Sequence, residues 1–206
     1  MDNIIIYLIS PIILSFIQYL FLKICKDFQA NKKIIYLIPI ILSYIPLFFS
    51  RDLRIYDIGL AASYMLMLNY SISDILYREV DAKSYYFLLP FIAINLFAMQ
   101  SFLSNALSLV TTFVLMFFYW LLGNKFSETM GGGDMKFFIL LSMYYPFDYV
   151  FMFLLYSMFF TIILGIICII KEKNTKASIP MIVSISIGHI FISFCYLMLE
   201  KHLFVL

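Results

Sequence analysis

Tyr149-Val-Phe-Met-Phe-Leu-Leu-Tyr-Ser-Met-Phe-Phe-Thr-Ile-Ile-Leu-Gly-Ile-Ile-Cys-Ile-Ile170 runs without a charged side chain, and Lys171-Glu172-Lys173 follows at once. An α-helix of this length rises about 33 Å, enough to cross a hydrocarbon core of about 30 Å. The stretch does not alternate with period two, as a strand of a closed membrane barrel would. It reads as a membrane-spanning helix, and the rest of the chain repeats the pattern.

Further apolar runs lie near 4–22, 34–50, 55–73, 85–99, 107–122, 135–147 and 180–199. The expected fold is therefore all-α, a polytopic bundle of about eight transmembrane helices. The run at 135–147 is the shortest and has the length of a re-entrant half-helix. Composition agrees: 64% of the 206 residues are hydrophobic and 13% charged, against roughly 45–50% and 25% in soluble domains. No polar stretch is long enough for a soluble domain. No basic residue precedes the run from Ile4 to Leu22 and no small-residue cleavage site follows it, so an uncleaved helix is expected there.

The formal charge of +2 does not point to nucleic acid, because the Lys and Arg residues sit in short loops between apolar runs. They read as topology signals. With the N-terminus outside and eight crossings, the loops facing inward hold Lys23, Lys26, Lys32, Lys33, Arg78, Lys83, Lys125, Lys136, Lys171, Lys173 and Lys176. Only Arg51, Arg54 and Lys201 of the 14 basic residues stay outside. The bias survives only if the short run at 135–147 also crosses, shortened or tilted, with Pro146 marking its outer end. Both termini are then expected outside. Cys25, Cys168 and Cys195 form neither a CxxC pair for zinc nor an even disulfide framework. They read as buried small apolar residues.

Two acids stand out. Asp74 ends the third run in Ser73-Asp74-Ile75-Leu76-Tyr77-Arg78, and Asp134 opens the sixth in Gly131-Gly132-Gly133-Asp134-Met135-Lys136. Between them the chain crosses twice, so both carboxylates return to one face whatever the absolute orientation. Three glycines in a row are costly at the start of a helix unless the backbone needs positive φ or something approaches it closely. An extended substrate strand is such a visitor. Two carboxylates a few ångströms apart cannot both ionise, so one keeps a proton while the other deprotonates a water for attack on an amide carbonyl. Each acid alone has a plainer explanation: Asp134 as a helix N-cap, Asp74 as an interfacial helix terminator. Their combination favours chemistry.

These residues resemble a known family. Gly131-Gly132-Gly133-Asp134-Met135-Lys136 is similar to the GxGD signature of type IV prepilin peptidases and archaeal preflagellin peptidases, including the lysine two residues after the aspartate. Asp74, followed by Arg78 and Val80, resembles the family's first catalytic aspartate. Lys176-Ala-Ser-Ile-Pro180 is similar to the Lys-x-x-Ile-Pro segment before the family's last helix. The resemblance covers residues 55–206 as a six-helix aspartic peptidase core, with residues 1–54 adding two transmembrane helices and a short basic loop in front. It implies cleavage of basic leader peptides from prepilin-like precursors (pilin, pseudopilin or archaellin) at the cytoplasmic face of the cell membrane. Asp74 and Asp134 are then catalytic, with Gly131, Gly132, Gly133, Lys136, Arg78 and Pro180 in support. Val80-Asp81 stands where the family usually has Ile-Pro, so the turn there must be built differently. The loop at Lys23–Lys33 is too short for the methyltransferase insert with paired CxxC motifs of the longer enzymes. No zinc, other metal or cofactor is expected. The expected partners are the precursors and the lipid bilayer, not nucleic acid.

Other residues have blander roles. Lys136 suits either tuning of Asp134 and substrate contact or a snorkelling anchor. His189, with Ser184, Ser186 and Gly188, is expected to pack inside the bundle. Gln18, Asn69 and Asn95 are expected to hydrogen-bond between helices. Asp57 and Asp148 fall at the outer helix ends. The many Phe and Tyr residues are lipid-facing bulk and interfacial belts. Rival functions are a proton-coupled transporter, which would place acids at the midplane of repeated halves, and an inactive scaffold subunit of a pilus or secretion assembly. A serine or cysteine mechanism is disfavoured, since no nucleophile accompanies His189 or His202 on that face.

Overall fold

The computed structural model describes residues 2–24, 37–44, 47, 55–77, 80, 82–99, 102–126, 131–173 and 179–203. Among these there are eight α-helices, one 3-10 segment and no strand. The helices are α1 (Asp2–Ile24), α2 (Leu37–Leu42), α3 (Ile55–Tyr77), α4 (Leu89–Met99), α5 (Phe102–Phe126), α6 (Gly132–Ser142), α7 (Phe147–Glu172) and α8 (Met181–Leu203). Two helices are long and apolar enough to cross a membrane, over Phe102–Leu122 and Phe147–Glu172. Cys25, Lys26, Lys32, Lys33, Arg78, Asp81 and Lys176, and with them most of the expected basic loops, lie outside the described residues.

The chain forms two compact units, Met1–Ala98 with Ser193–Leu206, and Met99–Ile192. In the first, α3 is central, and every residue from Gly59 to Met67 is buried. Leu14 of α1 and Leu47 pack with Ala61, Ala62 and Met65 of α3. Small residues let neighbours come close: a Cβ added at Gly59 would stand 3.3 Å from Ile94 Cγ2 of α4. The run expected as one helix over 85–99 has two parts. A 3-10 segment, Ala82–Leu88, precedes α4. Pro90 explains the change, because it lacks the N–H that an α-helix would bond back to Tyr86 and is tolerated only in a first helical turn. The Tyr70 hydroxyl donates to the Ser84 carbonyl at 2.6 Å, and the Tyr70 and Tyr85 rings meet edge-on at 5.5 Å. The 3-10 segment is thus tied back onto α3; Arg78, Glu79 and Asp81, in the turn where the resembled family has Ile-Pro, lie outside the described residues.

In the second unit, α5 packs on α6 and α7. Its buried stripe is Asn105, Ser108, Thr112 and Met116. Asn105 Nδ2 donates to the Met143 carbonyl at 2.7 Å, and the Phe147 N–H donates to Ser104 Oγ at 2.8 Å. Together they hold the α6–α7 elbow from both sides. Pro146 is the N-cap of α7, not the outer end of the preceding helix as expected. At 11 residues, α6 is about 16 Å long and does not itself span a core of about 30 Å.

Outside this buried stripe, the second half of α5 is exposed and apolar from Phe113 to Leu122, apart from buried Met116. On α7, Val150, Phe153, Leu154, Ser157 and Gly165 face inward while Leu155, Ile162, Ile166 and Ile170 face out. A helix as apolar outside as inside suits lipid rather than water. Polar residues turn inward instead. Tyr145 Oη lies 2.6 Å from His189 Nδ1 and donates to the His189 carbonyl at 3.1 Å, with the Tyr144 ring edge-on to the imidazole at 5.1 Å. His189 therefore packs, as expected. Cys168 and Cys195 are free and half-buried rather than fully buried.

α7 and α8 come close at Gly188, where a Cβ would collide with Ser157 Oγ and stand 3.0 Å from Ser157 Cα and N. Gly188→Ala is expected to destabilise the folded protein by about 1–3 kcal/mol, the cost of overpacking. A lower thermal unfolding midpoint in detergent checks this; an unchanged midpoint contradicts the contact.

Candidate active site

α6 begins earlier than its apolar run suggests. Gly131 is the N-cap, with φ −54° and ψ 140° and no side-chain cap, and its carbonyl accepts the Met135 N–H at 3.2 Å. Asp134 is therefore the third residue of the helix and not its N-cap. Helical side chains lean toward the N-terminus, and this one folds back over Gly131: a Cβ there would stand 3.0 Å from Asp134 Oδ2. The unpaired amides of the first turn and the positive end of the helix dipole favour a carboxylate at this place.

The glycines divide their work. No described glycine has positive φ, so left-handed backbone is not what the triplet supplies. Gly131 makes room for the carboxylate, whereas a Cβ on Gly132 would meet nothing within 4 Å. Gly131 and Gly132 are exposed, Gly133 and Asp134 half-buried. Further along the face that carries Asp134, Phe137, Phe138 and Leu141 are buried and anchor α6, with Phe138 against Phe153 of α7 at 5.7 Å. Lys136 is exposed.

Asp74 does not end its helix, as expected, but sits within the last turn of α3, which continues to Tyr77. It is only 7% exposed and lies in a buried polar band with Asn69, Ser71 and Ser73. That burial excludes a terminator whose charge reaches water. Asp57 lies at the other end of α3, and Asp148 in the first turn of α7. Pro180 is buried just before α8, and the preceding Ile179 is seated on α7, where a Cβ on Gly165 would stand 3.0 Å from Ile179 Cδ1. Sequence reasoning missed that seat; its signal was a lone glycine in an otherwise bulky apolar run. Asp74 belongs to the first unit and Asp134 to the second.

The described residues are all-helical or irregular, with two helices of membrane-crossing length and apolar outer faces, as suits a helical membrane protein. Residues 60–166, just over half of the chain, match the sequence model of the type IV leader peptidase family. The chain belongs to that family and is a peptidase. No curated protein and no solved structure matches it.

Proposed function

We propose that this peptidase is an aspartic endopeptidase that removes leader peptides from prepilin-like precursors at the cytoplasmic face of the membrane. The observation that carries the proposal is Asp134: inside the matched segment 60–166, its carboxylate is held over Gly131 at the glycine opening of α6. Asp74 falls within the same segment. The two carboxylates share one proton. The ionised one takes a proton from a water as the water oxygen attacks the scissile carbonyl, and the protonated one hydrogen-bonds the carbonyl oxygen. Collapse of the tetrahedral intermediate breaks the C–N bond, and the proton passes to the leaving amine.

The open space beside Gly132 suits an extended substrate backbone. Buried Pro180 and exposed Lys136 belong to the supporting set, with Arg78. In this proposal the chain crosses the bilayer several times, with its basic loops inside. A positively charged leader is retained on that side by the same charge rule. The test is co-expression with pilin, pseudopilin and archaellin precursors in membranes. At least one is expected to show a leader-sized mobility shift that persists with serine-directed inhibitors. No shift with any of them, or inhibition by those reagents, contradicts the proposal.

A further inference from the structure

The matched segment begins at residue 60, so α1 lies outside it. Even so, α1 has one buried edge, Ser10, Leu14, Gln18 and Phe21, while Ile12, Phe16 and Tyr19 are each at least 59% exposed. That edge meets the end of α3 that carries Asp74. Gln18 Nε2 donates to Asn69 Oδ1 at 3.0 Å, and Asn69 Nδ2 donates back to Gln18 Oε1 at 2.6 Å. One turn further on, the Phe21 ring stands edge-on to Tyr70 and to Phe87, each at 5.5 Å. Asp74 follows Tyr70 by one helical turn and so lies on the same side of α3. An apolar contact alone tolerates sliding and rotation. A reciprocal amide pair satisfies both donors and both acceptors in one register only.

We infer that α1 is a positioning element for Asp74: Gln18 and Phe21, acting through Asn69 and Tyr70, set the rotation and depth of the α3 end from which the carboxylate projects. The inference rests on the peptidase role proposed for Asp74. It gives the N-terminal helix work beyond anchoring, since Gln18 and Phe21 touch no reacting atom yet govern where one sits.

The test uses the full-length protein with two readouts. In cleavage kinetics, Gln18→Leu is expected to lower kcat about tenfold with KM little changed, a fraction of what a full ångström of misplacement costs. The exchange pair Gln18→Asn with Asn69→Gln, which keeps two amides facing, is expected to restore most of it. Independently of activity, Asp74→Cys is labelled with a water-soluble maleimide in a chain whose Cys25, Cys168 and Cys195 are replaced by serine. Adding Gln18→Leu is expected to speed that labelling severalfold. Unchanged labelling overturns the inference whether or not the protein cleaves, as does wild-type kcat in Gln18→Leu or a loss that the exchange pair leaves in place. Faster labelling in a protein that never cleaves a precursor instead upholds the α1 contact and defeats the peptidase mechanism.

Discussion

Asp74→Asn and Asp134→Asn are each expected to lower kcat by at least about a thousandfold, with the double variant no slower than either single one. Asparagine keeps the size and shape of the aspartate but can neither accept a proton from water nor hold one for the carbonyl oxygen. If both carboxylates act in one proton-sharing step, removal of either disables the step, so their effects do not add. KM is expected to move little, because the hydrogen bond to the carbonyl oxygen strengthens as the water attacks and adds little to binding before reaction. Abundance should hold too: Asp134 is only half-buried, and Asn at the buried position of Asp74 removes a charge from a polar band rather than adding one. Cleavage kinetics at matched protein levels check this. Appreciable cleavage by either variant removes that residue from the mechanism.

Gly131→Ala and Gly132→Ala separate two uses of the glycine triplet. A methyl at 131 stands 3.0 Å from Asp134 Oδ2, tighter than ordinary contact, so the carboxylate must move. Misplacing a reacting group by about 1 Å costs on the order of a hundredfold in rate; the shift needed here is a fraction of that, and a kcat loss of about tenfold is expected. A methyl at 132 meets nothing within 4 Å, so the fold accepts it. Replacing a glycine by alanine where the backbone conformation suits both gains about 0.4–1 kcal/mol of stability. Gly132→Ala is therefore expected to unfold at higher temperature while raising KM, because its methyl occupies the space proposed for the substrate backbone. Steady-state kinetics beside thermal unfolding in detergent distinguish the two. Full activity in Gly131→Ala contradicts the role given to that glycine, and an unchanged KM in Gly132→Ala contradicts substrate contact there.

The helical character of the chain was legible because uncharged runs such as Tyr149–Ile170 need no tertiary information. Their ends were not. α5 extends to Phe102–Phe126 and α3 to Tyr77, beyond runs judged by hydropathy, because helices continue through polar residues that cap or pack. Pro90 was visible, but its effect, a 3-10 segment before α4, depends on the Tyr70–Ser84 bond made across the fold. The shortness of α6 was foreseeable from its run, whereas the use of Pro146 to start α7 was not, since a proline punctuates equally well on either side. Within the site, the residue types Asp74, Asp134 and Gly131 were readable, and Gln18 and Asn69 do bond between helices as their chemistry suggested. What spacing did not carry was the work of each: that Gly131 makes room for a carboxylate and that Asp74 is buried. Both depend on where a side chain turns after the helix forms.

The central proposal is that Asp74 and Asp134 act as one proton-sharing pair. Cysteines placed at both positions, in a chain whose three native cysteines are serine, can be treated in membranes with a thiol-reactive bridge only a few ångströms long. Proteolysis between residues 74 and 134 then reports whether the halves remain joined. The account predicts that they do, and that either single cysteine gives no joined product. Efficient labelling of each cysteine by monofunctional reagent with no bridging between them would contradict the dyad.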